Sequence, residues 1–486
     1  MVPEIQVGAM PAAGRPGPEV VPAPQQPTAG VQRVAQLMQL AAEHEQAGRL
    51  DEAEGILRHV IAEAGDHPPA VHLLGIVAFK KDRIEESVRL MERSIALAPM
   101  EALYYRNVCE VYRVTGRLDE ALVAGRRAAK LAPNDVHCYH NLAVLHYHRL
   151  ELDEAIACGE RAIALDANFA GAHFGIAEAS LLRGDFGRGW DEYEWRLKLA
   201  NAPPLLPPTD RPQWDGTPLR NGVLLLIADQ GYGDVIQFSR YIPWAAARCA
   251  RIAVACSGEL HPVIAQATGD AVLFSHWDRV AEFDAYCPLS SLPRLAGTRL
   301  DNIPAGIPHV RPDPAKTRVW ADRLAALVPA GYRRIGIAWA GRPTHHNDRN
   351  RSTTLATLAR LTELPGIALV SLQKGPPQAQ IGFYWGRAPL VNLGPVIRDF
   401  GDTMAVLDCL ERIVTVDTAI AHLAGAMGKE SWVMLPYAPD WRWLLNRSDS
   451  PWYPTLRLFR QGPDRGWGAV VDRIVAELVT SELITA

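Results

Sequence analysis

A six-residue pattern returns every 34 residues through the first half of this chain, and a period of that length leaves few architectures open. Gly48-Arg49-Leu50-Asp51-Glu52-Ala53 is followed by Asp82-Arg83-Ile84-Glu85-Glu86-Ser87. Gly116-Arg117-Leu118-Asp119-Glu120-Ala121 and Leu150-Glu151-Leu152-Asp153-Glu154-Ala155 continue the series, and a degenerate copy begins at Gly184. A small residue follows each turn (Ala53, Ser87, Ala121, Ala155), where two helices must approach closely. Pro99 and Pro133 stand twelve positions later and end the second helix, because proline cannot continue the backbone ladder. Leu40, Leu74, Val108, Leu142 and Ile176 supply the apolar packing positions of the first helices. Paired helices at a fixed period stack into an α-solenoid.

The copies resemble the tetratricopeptide repeat. Arrays of that kind form a curved surface that binds peptide or protein segments. Asn107 and Asn141 occupy one repeat position, which in these repeats faces the concave surface. They are candidate peptide-groove residues, able to pair with the backbone of an extended polypeptide. The plainer alternative is two polar residues on an exposed helix face. The array is expected over residues 31–200, after a tail at 1–30 rich in Pro, Ala and Gly that reads as disordered. That tail lacks the basic start and apolar core of a signal peptide. The degenerate copy runs into Gly189-Trp190-Asp191-Glu192-Tyr193-Glu194-Trp195-Arg196, whose aromatics suggest docking onto the domain that follows.

Beyond a proline-rich linker at 201–221, strands and helices alternate. Strand runs are expected at Val223–Ala228, Ile252–Cys256 and Ala271–Phe274, then at Arg334–Trp339, Ile367–Leu372, Ile413–Val416 and Ser431–Leu435. A helix is expected from Val235 to Arg248. The pattern divides into two facing, doubly wound, Rossmann-like α/β domains, an N-terminal one at 222–328 and a C-terminal one at 329–465. A last helix within 466–486 packs back across both. Such sheets turn their loop-rich carboxyl edges towards a common cleft.

Composition narrows the class of partner. A formal charge of −4 gives no reason to expect nucleic acid or an anionic membrane. Seven dispersed cysteines without a C-x-x-C pair argue for reduced thiols and against a zinc site. No stretch reaches the ~18 apolar residues of a membrane span. The expected location is the cytoplasm.

Two loops carry the chemistry. Asp417-Thr418-Ala419-Ile420-Ala421-His422-Leu423-Ala424-Gly425 follows the β-branched run Ile413–Val416 and leads into a helix. A helix beginning there points free N–H groups at the sheet edge, a setting that attracts phosphate. The bland alternative is that Asp417 or Thr418 caps the helix and His422 is a core histidine. Across the cleft, Gln230-Gly231-Tyr232-Gly233-Asp234 follows the first strand. Gly231 and Gly233 permit close backbone approach to a ligand. Asp234 at the helix start is a candidate general base, with capping again the alternative. Lys374, Arg349 and Arg351 are the nearby cations able to steady phosphate charge. No Asp-x-Asp occurs in this half, so no metal bridged by paired carboxylates is indicated.

Gln230–Tyr241 together with Asp417-Thr418-x-x-x-His422-Leu423-Ala424-Gly425 resembles bacterial tetratricopeptide-repeat glycosyltransferases, whose catalytic half is similar to the ADP-heptose lipopolysaccharide heptosyltransferases and has the GT-B fold. Ser371-Leu372-Gln373-Lys374-Gly375, Asp440-Trp441-Arg442-Trp443-Leu444 and Ser450-Pro451-Trp452-Tyr453-Pro454 belong to the same likeness. The resemblance implies inverting transfer from a nucleotide-linked sugar without a metal or other cofactor. It implies Asp234 as base, Asp417, Thr418, Ala419 and His422 as donor contacts, and Gln230, Gly231, Gly233 and Gln237 as the acceptor-side loop. Heptosyltransferases carry a lysine in the loop where this chain reads Gly341 to Arg351, so the nucleotide and sugar stay open. The layout also resembles protein O-GlcNAc transferases and flagellin glycosyltransferases, in which the repeats hold the polypeptide acceptor.

The leading expectation is a soluble glycosyltransferase acting on a protein Ser or Thr hydroxyl, with flagellin a candidate acceptor. Alternatives are a non-catalytic repeat scaffold that binds nucleotide sugars, a lipopolysaccharide or glycan transferase, and a nucleotide-sugar epimerase, for which the repeats have no obvious use.

Overall fold

The computed structural model describes residues 29–480 except 270, 280, 281, 305 and 346, so the expected tail at 1–28 and the last six residues lie outside it. The chain divides into two compact units, Met1–Ile176 and Ala177–Ala486.

The first unit is a helical repeat array. Its helices are α1 (Ala29–Gln46), α2 (Leu50–Ala64), α3 (Pro68–Lys80), α4 (Ile84–Leu97), α5 (Ala102–Val114), α6 (Leu118–Leu131), α7 (Val136–His148) and α8 (Leu152–Leu165). The division falls inside the next helix, α9 (Ala170–Arg183). The small residues after the turns are buried as their spacing demands: Ala53, Ser87 and Ala121 have no accessible surface. Gly125 lies against Leu142, where an added Cβ would come within 2.8 Å of a leucine methyl. Leu74, Val108, Leu142 and Ile176 are buried, whereas Leu40 in α1 is 41% exposed. Among the described residues no earlier repeat packs over it.

The turns share one backbone conformation. Gly48, Asp82, Gly116 and Leu150 all have positive φ, at 73°, 58°, 79° and 62°. Glycine meets this without strain, and a leucine does not.

The second unit continues with α10 (Phe186–Tyr193) and an α/β region. β1 (Leu219–Ile227) is followed by α11 (Tyr232–Phe238), β2 (Cys249–Ala255), β3 (Val272–Phe274) and β4 (Ala285–Pro288). Next come β5 (Arg333–Ala338), β6 (Ile367–Ser371), β7 (Leu390–Asn392), β8 (Arg412–Val416), β9 (Ser431–Leu435) and β10 (Leu456–Arg460). They form a four-stranded sheet in the order β3-β2-β1-β4 and a six-stranded sheet in the order β10-β9-β8-β5-β6-β7. Every pairing within both sheets is parallel.

Strand order reverses between β1 and β4 in the first sheet and between β5 and β8 in the second. Ligands of open parallel sheets sit outside the carboxyl ends of strands at such reversals. β1 and β8 are the strands that lead into the two loops singled out above.

The helix expected from Val235 to Arg248 is broken. α11 ends at Phe238, a single 3-10 turn covers Ser239–Tyr241, and a new short helix, Ile242–Ala246, carries Pro243 in its first turn. Proline has no N–H to give to the preceding turn, so one continuous helix cannot pass through it. The C-terminal helix Gly468–Thr480 lays Val470, Val471, Ile474 and Leu478 into the core of the six-stranded sheet.

Candidate functional site

The two loops meet within the second unit. Gly231 occupies the N-cap of α11, and α11 packs on the helix Ala419–Ala426. The approach is closest at Gly233, where a Cβ would lie 2.6 Å from His422 Cδ2. Glycine is required there by proximity, since any side chain would displace the imidazole.

Asp234 stands one residue further on. Its Oδ1 accepts a hydrogen bond from Arg442 Nη2, and its side chain keeps 22% of its surface accessible. Arg442 comes from the short turn Trp441–Trp443 that follows β9. It also donates from Nε to Gln237 Oε1 at 2.7 Å and from Nη1 to Asp440 Oδ1 at 2.7 Å. Its guanidinium lies 4.2 Å from the centre of the Trp441 indole. One buried cation therefore joins two carboxylates and an amide drawn from both sheets.

Electrostatics follow from that arrangement. Burial works against the Arg442 charge, but Asp234 and Asp440 overcome it and hold its pKa well above the ordinary value. Burial pushes the Asp234 carboxyl up, and Arg442 only partly reverses this. Burial pushes Asp440 the same way, but there Arg442 prevails and leaves its pKa lowered.

On the facing element, Asp417 directly follows β8 and is buried. Burial, and then the charge of Asp440, raise its pKa to about 6 against the pull of Arg351. His422 Nε2 is 3.9 Å from Asp417 Oδ1, and its Nδ1 is 3.1 Å from the Tyr453 hydroxyl. Burial lowers the His422 pKa to about 3, so the ring is neutral near pH 7. Thr418 takes the N-cap position, but its side chain caps nothing; its Oγ1 lies 3.2 Å from Thr415 Oγ1. Ala419 opens the helix.

Other expected site residues stand apart from this cluster or at its edge. Gln230 is exposed. The Lys374 ammonium donates to the carbonyls of Gly394 at 3.1 Å and Ile397 at 2.6 Å. Arg349 is exposed, while Arg351 is half-buried, 3.7 Å from Asp348 and close enough to Asp417 to affect its ionisation. In the first unit, Asn107 is buried with Nδ2 2.9 Å from His72 Nε2. Asn141 Nδ2 donates to Arg106 O at 3.5 Å. Both amides are thus engaged with the preceding repeat.

Arg442, Asp440 and Tyr453 belong to the cluster without having been singled out as site residues. The available signal was an arginine held between two tryptophans at 441–443, a costly composition for a mere turn. Arg240 has a similar setting. It donates to Trp452 O at 2.9 Å, and its guanidinium lies 4.8 Å from the Tyr453 ring centre.

The docking aromatics hold this assembly from behind. Trp190 of α10 meets Trp441 edge-on at 5.2 Å and donates from Nε1 to Thr298 O at 3.1 Å. Phe186 stacks on Trp452 at 5.9 Å. Arg196, almost wholly buried, pairs with Asp229 at 3.0 Å and donates to Ser291 Oγ at 2.7 Å. Among the described residues, no group of three or more His, Cys, Asp or Glu is placed to hold a metal ion, and no helix is long and apolar enough to cross a membrane. None of the seven cysteines forms a disulfide.

Residues 136–165 match the tetratricopeptide repeat family, so that repeat is present in the chain. The Caulobacter vibrioides protein FlbA is 25% identical over 333 residues, covering 63% of this chain. The chain in turn covers 54% of FlbA, about half of its length. Among solved structures, a tetratricopeptide-repeat protein of Thermus thermophilus is 20% identical, with a TM-score of 0.31, covering 34% of this chain and 91% of that one. MamA of Desulfovibrio magneticus is 16% identical, with a TM-score of 0.31, covering 34% of this chain and 94% of its own. A tetratricopeptide repeat implies a protein-binding surface, and a parallel α/β region follows it.

Proposed function

We propose that this chain is an inverting, metal-independent glycosyltransferase of GT-B type, moving a sugar from a nucleotide-sugar donor to a Ser or Thr hydroxyl of a protein held by the repeats. One observation carries this reading above the others. Asp234 and the Asp417–His422 turn arise at the strand-order reversals of two separate parallel sheets and are packed together through Gly233.

In this reading Asp234 takes the proton of the acceptor hydroxyl as its oxygen bonds to the anomeric carbon. The bond from that carbon to the nucleotide diphosphate breaks, and its electron pair leaves with the phosphate. Attack from the opposite face inverts the anomeric centre. Asp417, Thr418, Ala419 and His422 contact the donor. Neutral His422 acts there as a hydrogen-bonding group, while Arg349, Arg351 and Lys374 offset the diphosphate charge. The repeats recruit the polypeptide, and flagellin is the acceptor to try first, on the family likeness alone.

The test is incubation with UDP-, ADP-, GDP- and CMP-sugars, following nucleotide release and the intact mass of a co-expressed acceptor. Asp234→Asn should lower transfer by about 10²–10⁴-fold while donor affinity stays near wild type. Full activity in that variant removes Asp234 as the base. A second reading is a scaffold that binds nucleotide sugars without turning them over. The Asp234–Arg442 ion pair favours it, because one oxygen of the carboxylate is already occupied by the guanidinium. Wild-type binding without release in every donor would establish that reading.

A further inference from the structure

We propose that Arg442 is the positioning residue for Asp234: its guanidinium holds Oδ1 so that Oδ2 is presented to the acceptor hydroxyl. The proposal rests on the transferase reading above for the identity of the acceptor, but the geometry stands by itself.

Three contacts fix the guanidinium before Asp234 is considered. Asp440 holds Nη1, Gln237 holds Nε, and Trp441 lies beneath the plane. Only Nη2 remains, and it reaches Asp234 Oδ1. Arginine suits this task because its donors sit in a rigid fork whose direction is set once two of them are bound. The other oxygen is turned towards Gly231, where an added Cβ would lie 3.2 Å from Oδ2. Gly231 is exposed, so this is the side from which an acceptor can arrive.

The contact also joins the two sheets. Asp234 and Gln237 belong to α11, after β1, while Arg442 and Asp440 follow β9. Asp234 is aimed only while these two elements are together, so the positioning of the base depends on that packing.

The Arg442 charge acts on the proton of Asp234 in a structural ion pair and in a positioning one alike, and the two differ in whether turnover needs the fork as well as the charge. Charges facing Asp234 are Arg442 in the Trp441 turn, Asp440 at its N-cap and Asp229 just after β1. Tyr193 of α10 and Tyr453 stand near it as neutral phenols, and His422 lies against the neighbouring Gly233. Arg240 faces Tyr453 and His422 from α11's own continuation, and Glu178 of α9 faces Asp440 and Arg442. Of these, Arg442 is the group bonded to Asp234.

The experiment titrates Asp234 directly in the full chain. The infrared carboxylate bands of ¹³C-aspartate-labelled protein are followed with pH, and the Asp234→Asn spectrum is subtracted. Arg442→Gln should raise the Asp234 midpoint by about one unit or more, a tenfold gain in proton affinity. Arg442→Lys, which keeps the charge but not the fork, should stay close to wild type in midpoint. Asp440→Asn removes a neighbouring negative charge and should lower it. An unmoved midpoint in Arg442→Gln, or a raised one in Asp440→Asn, overturns the proposal. If Arg442→Gln does not fold, Arg442→Lys decides, because it keeps the charge and loses the fork.

Activity then separates the two levels. With the donor that wild type turns over, Arg442→Gln should shift the acid limb of the pH–rate profile upward, and Arg442→Lys should lower kcat without moving that limb. Unchanged kcat in Arg442→Lys overturns the positioning role. If no donor turns over, the transferase reading fails while the titration still tests the Arg442–Asp234 linkage.

Discussion

His422 shows how much of a residue's role is decided by its surroundings. In sequence it is an imidazole in the first turns of a helix, open to ionic, hydrogen-bonding or purely structural duty. In the folded chain it is buried against Gly233, Trp443 and Tyr453, and it stays neutral down to about pH 3. Its folded pKa lies below the unfolded value of 6.5, so acid favours the unfolded chain. The stability it contributes is complete above pH 6.5 and is lost as pH falls from there towards 3. Asp417 works the other way: its pKa is raised from 3.8 to about 6, so its folded form gains protons first and loses stability as pH rises through that window. We expect His422→Gln to lose less stability than wild type between pH 7 and pH 5, by about 2 kcal/mol. Urea midpoints at the two pH values measure it, and an equal loss in both proteins would show that His422 is not kept neutral. His72, His140, His309 and His345 are also lowered by burial, so the contrast with wild type, not the absolute slope, isolates His422.

At the scale of elements, the repeat turns are the clearest case of sequence dictating structure. The first residue of each six-residue copy is the one that adopts positive φ, and glycine supplies it at 48 and 116. Leu150 adopts the same conformation at φ 62° with a branched side chain, which costs roughly 1 kcal/mol. Leu150→Gly should therefore stabilise the array by up to about 1 kcal/mol, less the extra entropy of glycine in the unfolded chain. A melting temperature lowered by more than the entropy of one glycine explains would refute the strain. Strands were less evenly legible. β5, β6, β8 and β9 are runs of β-branched and aliphatic residues buried along most of their length. β4 ends in Pro288, β7 has three residues, and β10 carries Arg457 and Arg460, so none of these shows a buried-strand pattern in sequence. They become strands because an adjacent strand offers a parallel ladder to complete.

For the molecule as a whole, the division at Ile176 and Ala177 separates a stack of local helix pairs from sheets built by long-range pairing. The two kinds of core have different origins of cooperativity. Differential scanning calorimetry should resolve two transitions, and a variant such as Leu150→Gly should move only the one that belongs to the repeats. A single transition moved as a whole would show that the units melt together.

The period of 34 residues determined the array by itself, because each repeat needs only its neighbours to bury its apolar face. The alternation of strands and helices likewise implied a parallel α/β region, since buried parallel strands need apolar residues on both faces. What no local pattern could hold was the meeting of Asp234 with Arg442, which are 208 residues apart. That contact exists because the loop after β1 meets the turn after β9, and because Gly233 lets one helix come close to the next. A buried guanidinium among tryptophans is legible as an oddity in sequence, but its direction is set only by Asp440, Gln237 and Trp441 around it. Charge is long-ranged and carries no local periodicity, so the partners of a buried ion are decided by the tertiary structure.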